Sequence, residues 1–320
     1  MKAEGGRGRA YTRDGHGLSP FAHPTAFAHP AFPISLHLPV VAPIGAAFCT
    51  VLYARLIMTY RSLSQPQSRA LALGPWRTQL YRTGYLYLPA LPNSFDWVQL
   101  AAQLTQGQLL MQDHGDRIYD VRPTAQALGS WDAKSTSPLR PHTDGPHLAM
   151  PPHWLALYGV RDAACGGGYT QLTDGWELLR WQFSLKEQRR LMQQRYPFRD
   201  KSGTHQAIAP LIEPGRGGSL RWRYSQNCLR FGEPSPDLGA IPAAIDPWVQ
   251  TVTDRIADFC RRCHLAIRLQ PGSLLLWDNH RMLHYRTAFT DPNRHLQRLW
   301  LGDGKVDATG LGGDRHVYLL

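Results

Sequence analysis

The feature that most limits how this 320-residue chain can fold is a texture that begins at Trp76, where short apolar or alternating runs are each closed by turn-forming residues. "TGYLYLP", "HWLALYGV", "LRWRYSQ", "GSLLLWDN" and "RHLQRLWL" are too short to make independent helices, and they alternate or run apolar as half-buried and fully buried strands do. Many short strands and few helices predict a mainly β fold with flanking helices, its strands closed into a barrel or jelly roll. The helices announce themselves by their starts. Ser94 reads as the N-cap of a helix carrying Trp97, Leu100, Ala101 and Leu104; Ser184 and Glu187 form a capping-box pattern; Asp246-Pro247 opens a helix running to about His264.

Residues 1–75 have a different character. They mix a Gly/Arg-rich start, the passage "FAHPTAFAHPAFPISLHLP" and an apolar stretch from Val40 to Tyr60 that Pro43 and Arg55 interrupt, so no membrane span is expected. The expectation is an extension over 1–75, disordered or loosely packed, followed by one domain over 76–320. The same segment bears on the charge. Of the net +11, seven Lys/Arg against two Asp/Glu in residues 1–75 supply +5, and the rest is dispersed without a basic run. That pattern is a solvated basic surface and predicts no nucleic-acid partner.

Five cysteines, at 49, 165, 228, 260 and 263, are odd in number and mostly far apart, which fits a reducing cytoplasm better than a secreted disulfide framework. "CRRCH" at 260–264 matches the Cys-x-x-Cys-His pattern of c-type haem attachment. The surrounding helix argues otherwise: Val249, Val252, Ile256, Phe259 and Cys263 trace one apolar stripe, and Cys260 follows Ile256 by four, so both thiols read as core residues.

Chemistry concentrates at three places. In "LRPHTDGPH", His142 and Asp144 point to one face if the strand continues through them, because side chains alternate with period two. Far along the chain, "PGSLLLWDNHRMLHYRTAF" carries a turn and a buried strand into two further histidines, His280 and His284. Two imidazoles and one carboxylate on one face of a metal form the facial triad of non-haem Fe(II) oxygenases, which leaves three sites open for cosubstrate and oxygen. In "RHLQRLWL", Arg294 and Arg298 share a strand face with Leu296 and Trp300, and two guanidinium groups inside a barrel need anions to pair with. Arg223 and Tyr224 in "LRWRYSQ" fall on opposite faces, and alternation does not say which is inside.

In this order, "HTDG", "GGGYTQLTDG", "GSLLLWDNHRMLHYRTAF" and "RHLQRLWL", the motifs resemble the taurine dioxygenase/clavaminate synthase-like family of Fe(II)- and 2-oxoglutarate-dependent oxygenases over roughly residues 76–302. The resemblance implies a double-stranded β-helix core of the jelly-roll, cupin-like kind. It implies His142, Asp144 and His284 as Fe(II) ligands, with His280 at a position where the family often carries arginine or another polar residue. It implies Arg294 on the distal carboxylate of 2-oxoglutarate with Thr170 as its hydrogen-bonding partner, and Arg298 where some relatives hold a substrate anion. The reaction so implied consumes O2 and 2-oxoglutarate, releases succinate and CO2, and hydroxylates a small, anionic or amino-acid-like metabolite. The rival class is a jelly-roll metal-binding protein or isomerase that leaves 2-oxoglutarate untouched, and Arg294 with Thr170 favours the oxygenase.

Overall fold

The computed structural model describes residues 73–303 apart from 93–94, 113–114, 128–131, 201–205 and 232–245. In chain order, helix α1 (Leu73–Thr83) leads to β1 (Tyr85–Leu88), and α2 (Trp97–Thr105) to β2 (Gln108–Leu109), β3 (Ile118–Val121), β4 (Leu139–His142), β5 (Trp154–Arg161) and β6 (Thr170–Asp174). Helices α3 (Gly175–Gln182) and α4 (Leu185–Gln193) follow, then β7 (Arg195–Arg199), β8 (Gln206–Pro210), β9 (Ile212–Pro214) and β10 (Leu220–Trp222). After α5 (Gln226–Phe231) and α6 (Pro247–Arg262) come β11 (Leu265–Ile267), β12 (Leu274–Asp278), β13 (Met282–Arg286) and β14 (His295–Gly302).

The strands pair into a six-stranded sheet, β1-β12-β5-β14-β2 with β3 also on β14, and a four-stranded sheet, β11-β6-β13-β4. Every pairing in them is antiparallel. This is the expected jelly roll, and its alternation can be followed residue by residue. Leu155 and Leu157 of β5, Leu275 and Trp277 of β12, and Leu296 and Trp300 of β14 share one apolar cluster with Leu172, Ile267 and Met282 of the smaller sheet. Their neighbours Trp154, Ala156, Leu274, Leu276, Leu299 and Leu301 point the other way, against Trp76 and Leu80 of α1 and Trp97, Leu100, Ala101 and Leu104 of α2. Burial on both faces explains why "LLLW" is continuously apolar rather than alternating. On β13, Leu283 and Tyr285 meet the outer cluster formed with α3, α4 and α6, which leaves His284 and Arg286 facing inward between the sheets.

Helix starts follow the sequence with one correction. The capping box of Ser184 and Glu187 is formed, and Asp246 caps α6, accepting from the Trp248 amide, with Pro247 in its first turn. Helix α2, however, is capped by Asp96, whose carboxylate accepts from the amides of Val98 and Gln99 at 3.0 Å each. Asp96 immediately precedes the first helical residue, where a side-chain acceptor reaches both orphan amides; Ser94 lies outside the described residues. So does the extension up to residue 72, while α1, which starts at Leu73, straddles the boundary drawn at 75/76. No helix among the described residues is long and apolar enough to cross a membrane.

Candidate metal and cosubstrate site

Strand pairing assembles the site. Strand β13 runs antiparallel to β4 in a register that sets His284 directly opposite His142, and the two rings stand 4.1 Å apart between centroids. Just past β4 the chain turns through Gly145, whose φ of +64° suits glycine, and Asp144 folds back toward the pair. Its Oδ1 lies 3.4 Å from Nε2 of His142 and 3.4 Å from Nε2 of His284. That spacing is longer than a charge-assisted hydrogen bond, and one donor atom from each residue lies within 4.8 Å of the others. His280 is not part of this group; it sits in the turn between β12 and β13, 3.2 Å from the Pro151 carbonyl through Nε2.

The protonation states suit metal ligation. The Arg140 carbonyl, which can only accept, lies 2.8 Å from Nδ1 of His142, so that nitrogen carries the hydrogen and a neutral ring keeps the Nε2 lone pair toward Asp144. Burial, reinforced by neighbouring His142, lowers the pKa of His284 to about 4, so its ring is neutral. Its Nδ1 is buried with no hydrogen-bond partner among the described residues. Burial would raise Asp144, but the charge of Arg298, the largest influence opposing it, helps hold the carboxyl well below the ordinary carboxylate range. The second carboxylate oxygen is occupied: Oδ2 takes Nη1 of Arg298 at 2.9 Å and the indole N–H of Trp300 at 2.8 Å. Only Oδ1 faces the histidines. The Asp144 backbone is gripped by Asn279, whose side chain accepts from the Asp144 amide at 2.8 Å and donates to its carbonyl at 3.1 Å.

The same pocket between the sheets is lined by His142, His284, Thr170, Arg286, Arg294 and Arg298, with Leu157, Trp277 and Leu296 among its apolar walls. Arg294 is buried and donates through Nη2 to the Gly168 carbonyl at 2.9 Å, its guanidinium over the Phe289 ring. Gly168 has a φ of +77°, and a Cβ there would come within 2.7 Å of Arg294 Nε, which gives the "GGGY" stretch a physical reason. Arg298 is held by Asp144 and by Gln112, to whose Oε1 its Nε donates at 2.9 Å.

Arg286 was not singled out from the sequence. It lies opposite Thr170 in the β13–β6 register and donates to the carbonyls of Ala133, Ser135 and Ser137 at 2.5–2.7 Å, while its Nε has no partner. Among the described residues neither Arg286 nor Arg294 has a carboxylate within ion-pair distance. Burial lowers both, Arg294 to about 10 and Arg286, which also feels Arg294, to about 9. Two buried cations without an acid describe a site for an anion. The signal for Arg286 was available, because it follows His284 by two on one strand.

Two other expectations resolve here. Arg223 is buried away from the pocket, bonded to Glu213 and, at 2.6 and 2.7 Å, to the carbonyls of Pro146 and Leu148, where it pins the chain just beyond Asp144. Cys260 is a core thiol with its pKa pushed up to about 12, chiefly by burial, and His264 is turned onto the Cys260 carbonyl, an arrangement that leaves "CRRCH" structural.

Two imidazoles and a carboxylate facing a cationic pocket inside a jelly roll define a class, the metal-dependent oxygenases of this fold. The comparison by sequence narrows it: residues 55–300 match the model of the taurine catabolism dioxygenase TauD, TfdA family, and the chain belongs to that family. No curated protein matches by sequence. Similar solved structures include an asparagine oxygenase in complex with Fe(II), 2S,3S-3-hydroxyasparagine and succinate, at 18% identity and a TM-score of 0.54 over 72% of this chain and 78% of that one. Another is the non-haem iron oxygenase OrfP with Fe, succinate and (3R,4R)-dihydroxy-L-Arg, at 14% identity and a TM-score of 0.55 over 72% and 80%. A third is a taurine dioxygenase from Burkholderia xenovorans, at 20% identity and a TM-score of 0.53 over 74% and 84%.

Proposed function

We propose that this protein is an Fe(II)- and 2-oxoglutarate-dependent oxygenase that hydroxylates an unactivated C–H bond of a small, amino-acid-like or anionic metabolite. One observation carries the reading. His142 and a neutral His284, with the ionised Asp144 beside them, face a pocket shared with two buried arginines, Arg286 and Arg294, that have no acid partner among the described residues. The donor set fits a divalent iron ion, and His142, Asp144 and His284 would hold it. With both groups bound, iron and 2-oxoglutarate supply the hard chemistry: one atom of O2 enters succinate as CO2 leaves, and the other enters the substrate C–H bond.

The chain's own residues bind and orient. Arg294 would take the distal carboxylate of 2-oxoglutarate, assisted by the buried hydroxyl of Thr170. Arg286 fixes the wall at 133–137 through three carbonyls and adds positive charge. Arg298 and Trp300 hold one oxygen of Asp144 so that the other stays directed at the histidines. Nη2 of Arg298 makes no hydrogen bond among the described residues and is the donor offered to a substrate anion. Leu157, Trp277 and Leu296 exclude water around the reacting carbon.

Asparagine and arginine derivatives in the similar structures support an amino-acid substrate. The test is succinate formation by protein loaded with Fe(II), 2-oxoglutarate and O2, across a panel of free amino acids and alkyl sulfonates. An amino acid should stimulate succinate release and gain a hydroxyl. No binding of 2-oxoglutarate by the iron-loaded protein would overturn the reading.

A further inference from the structure

A second group of metal-ligand type lies outside this pocket, where three neighbouring strands of the larger sheet end together. His153 immediately precedes β5, Asp278 closes β12, His280 lies in the turn that follows, and Asp303 comes directly after β14. Trp154 pairs with Asp278 on one side and with Leu301 on the other, so the pairing itself gathers these residues. One ligand atom from each of His153, Asp278 and His280 lies within 4.8 Å of the others.

The hydrogen bonds repeat the logic of the first site. His153 bonds through Nδ1 to Asp303 Oδ1, which leaves Nε2 facing Asp278 Oδ1 at 3.6 Å, beyond hydrogen-bond range. The Pro151 carbonyl accepts from Nε2 of His280, which leaves Nδ1 of a neutral ring with a lone pair. A histidine that donates one ring N–H to a carboxylate or backbone carbonyl presents its other nitrogen as a fixed, more basic ligand. The two imidazoles are stacked 4.5 Å apart and within 7° of parallel, an arrangement that disfavours two imidazolium charges. Burial and His153 push His280 down to about 4, while Asp278 and Asp303 more than offset burial and raise His153 to about 9.

We propose that His153, Asp278 and His280, with Asp303 orienting His153, form a second site for a divalent transition-metal ion such as zinc. Charge supports the assignment. Asp278 and Asp303 with a protonated His153 leave one unit of negative charge, whereas a divalent ion with His153 neutral balances it. The set of two imidazoles and one carboxylate suits zinc and its neighbours rather than calcium or magnesium, and the partial exposure of His153 and Asp303 gives the ion a way in. The site is one residue from Asn279, which grips the backbone of Asp144, so a bound ion would stiffen the turn on which the first site depends.

Titration of metal-free protein with Zn(II) or Co(II) alone tests this. The intact chain should take up two equivalents, and at pH 7.5 the second should release about one proton as His153 gives up its hydrogen. His280→Ala and His153→Gln should each remove one equivalent and that proton, whereas His284→Ala should remove the other equivalent and leave proton release intact. A single equivalent in the intact chain that His280→Ala retains, or two retained in His280→Ala, would overturn the proposal and leave an ion-pair network only. Two equivalents retained by His284→Ala would instead count against the site formed with His142 and Asp144, so the two failures are distinguishable.

Discussion

At the scale of single residues, the pocket separates groups that hold an anion from groups that shape the metal ligands. Among the described residues the Arg294 side chain makes one hydrogen bond and has no acid partner, so its remaining donors are available to a carboxylate. Arg294→Lys replaces a planar fork with an ammonium and should cost about 1.5 to 3 kcal/mol of 2-oxoglutarate binding, seen as a rise of roughly 10- to 150-fold in its KM with the substrate KM little changed. If Arg298→Lys alone shows that defect, the two roles are exchanged. Trp300 acts through Asp144 instead. Trp300→Phe keeps an aromatic face beside Arg298 but deletes the N–H on Asp144 Oδ2, and Fe(II) affinity measured by equilibrium titration should fall about tenfold with the fold unchanged. An unchanged affinity would show that Arg298 alone suffices to hold that oxygen.

At the scale of elements, the close approach of Gly168 to Arg294 couples the loop before β6 to the anion grip. Gly168→Ala introduces a Cβ 2.7 Å from Arg294 Nε at a left-handed backbone position. Stability should fall by about 1 to 2 kcal/mol in denaturant titration, and the KM for 2-oxoglutarate should rise as Arg294 is displaced. Asp96→Ala, at the cap of α2 on the far side of the larger sheet, should lose about 1 kcal/mol of stability and leave that KM alone. The contrast shows what a sequence can and cannot reveal. Strands β1, β5, β12 and β14 were legible because alternation and apolar runs record which faces are buried, whereas β13 was not read as a strand. The convergence of His142 and His284 was not legible, because it depends on the register between strands whose paired histidines lie 142 residues apart, and resemblance supplied it. His153 gave no signal at all, since its partners Asp278, His280 and Asp303 reach it only through the order of strands in the sheet. Asp96 displaced Ser94 as the cap for a local reason, its position just before the first helical residue.

At the scale of the whole molecule, the question is where the folding unit begins. Trp76 and Leu80 of α1 are buried against the outer face of the larger sheet with Leu86, Trp97 and Leu276, so a chain cut after Leu80 would lose both, expose that cluster and should unfold or aggregate. Among the described residues, the buried cores on both faces of the two sheets are assembled from residues 76–301, with Leu73 packed against them. The composition of residues 1–70 adds no core-forming pattern, with prolines at 30, 33, 39 and 43 and a Gly/Arg-rich start. A chain starting at Leu71 should therefore fold with the thermal midpoint and 2-oxoglutarate turnover of the full chain. The family match gives the comparison that decides, because it begins at residue 55. Chains starting at 55 and at 71 should behave alike in thermal unfolding and in coupled succinate release. Should the first be active and the second lose cooperative unfolding, residues 55–70 pack on the domain, and its boundary moves to the start of the family match.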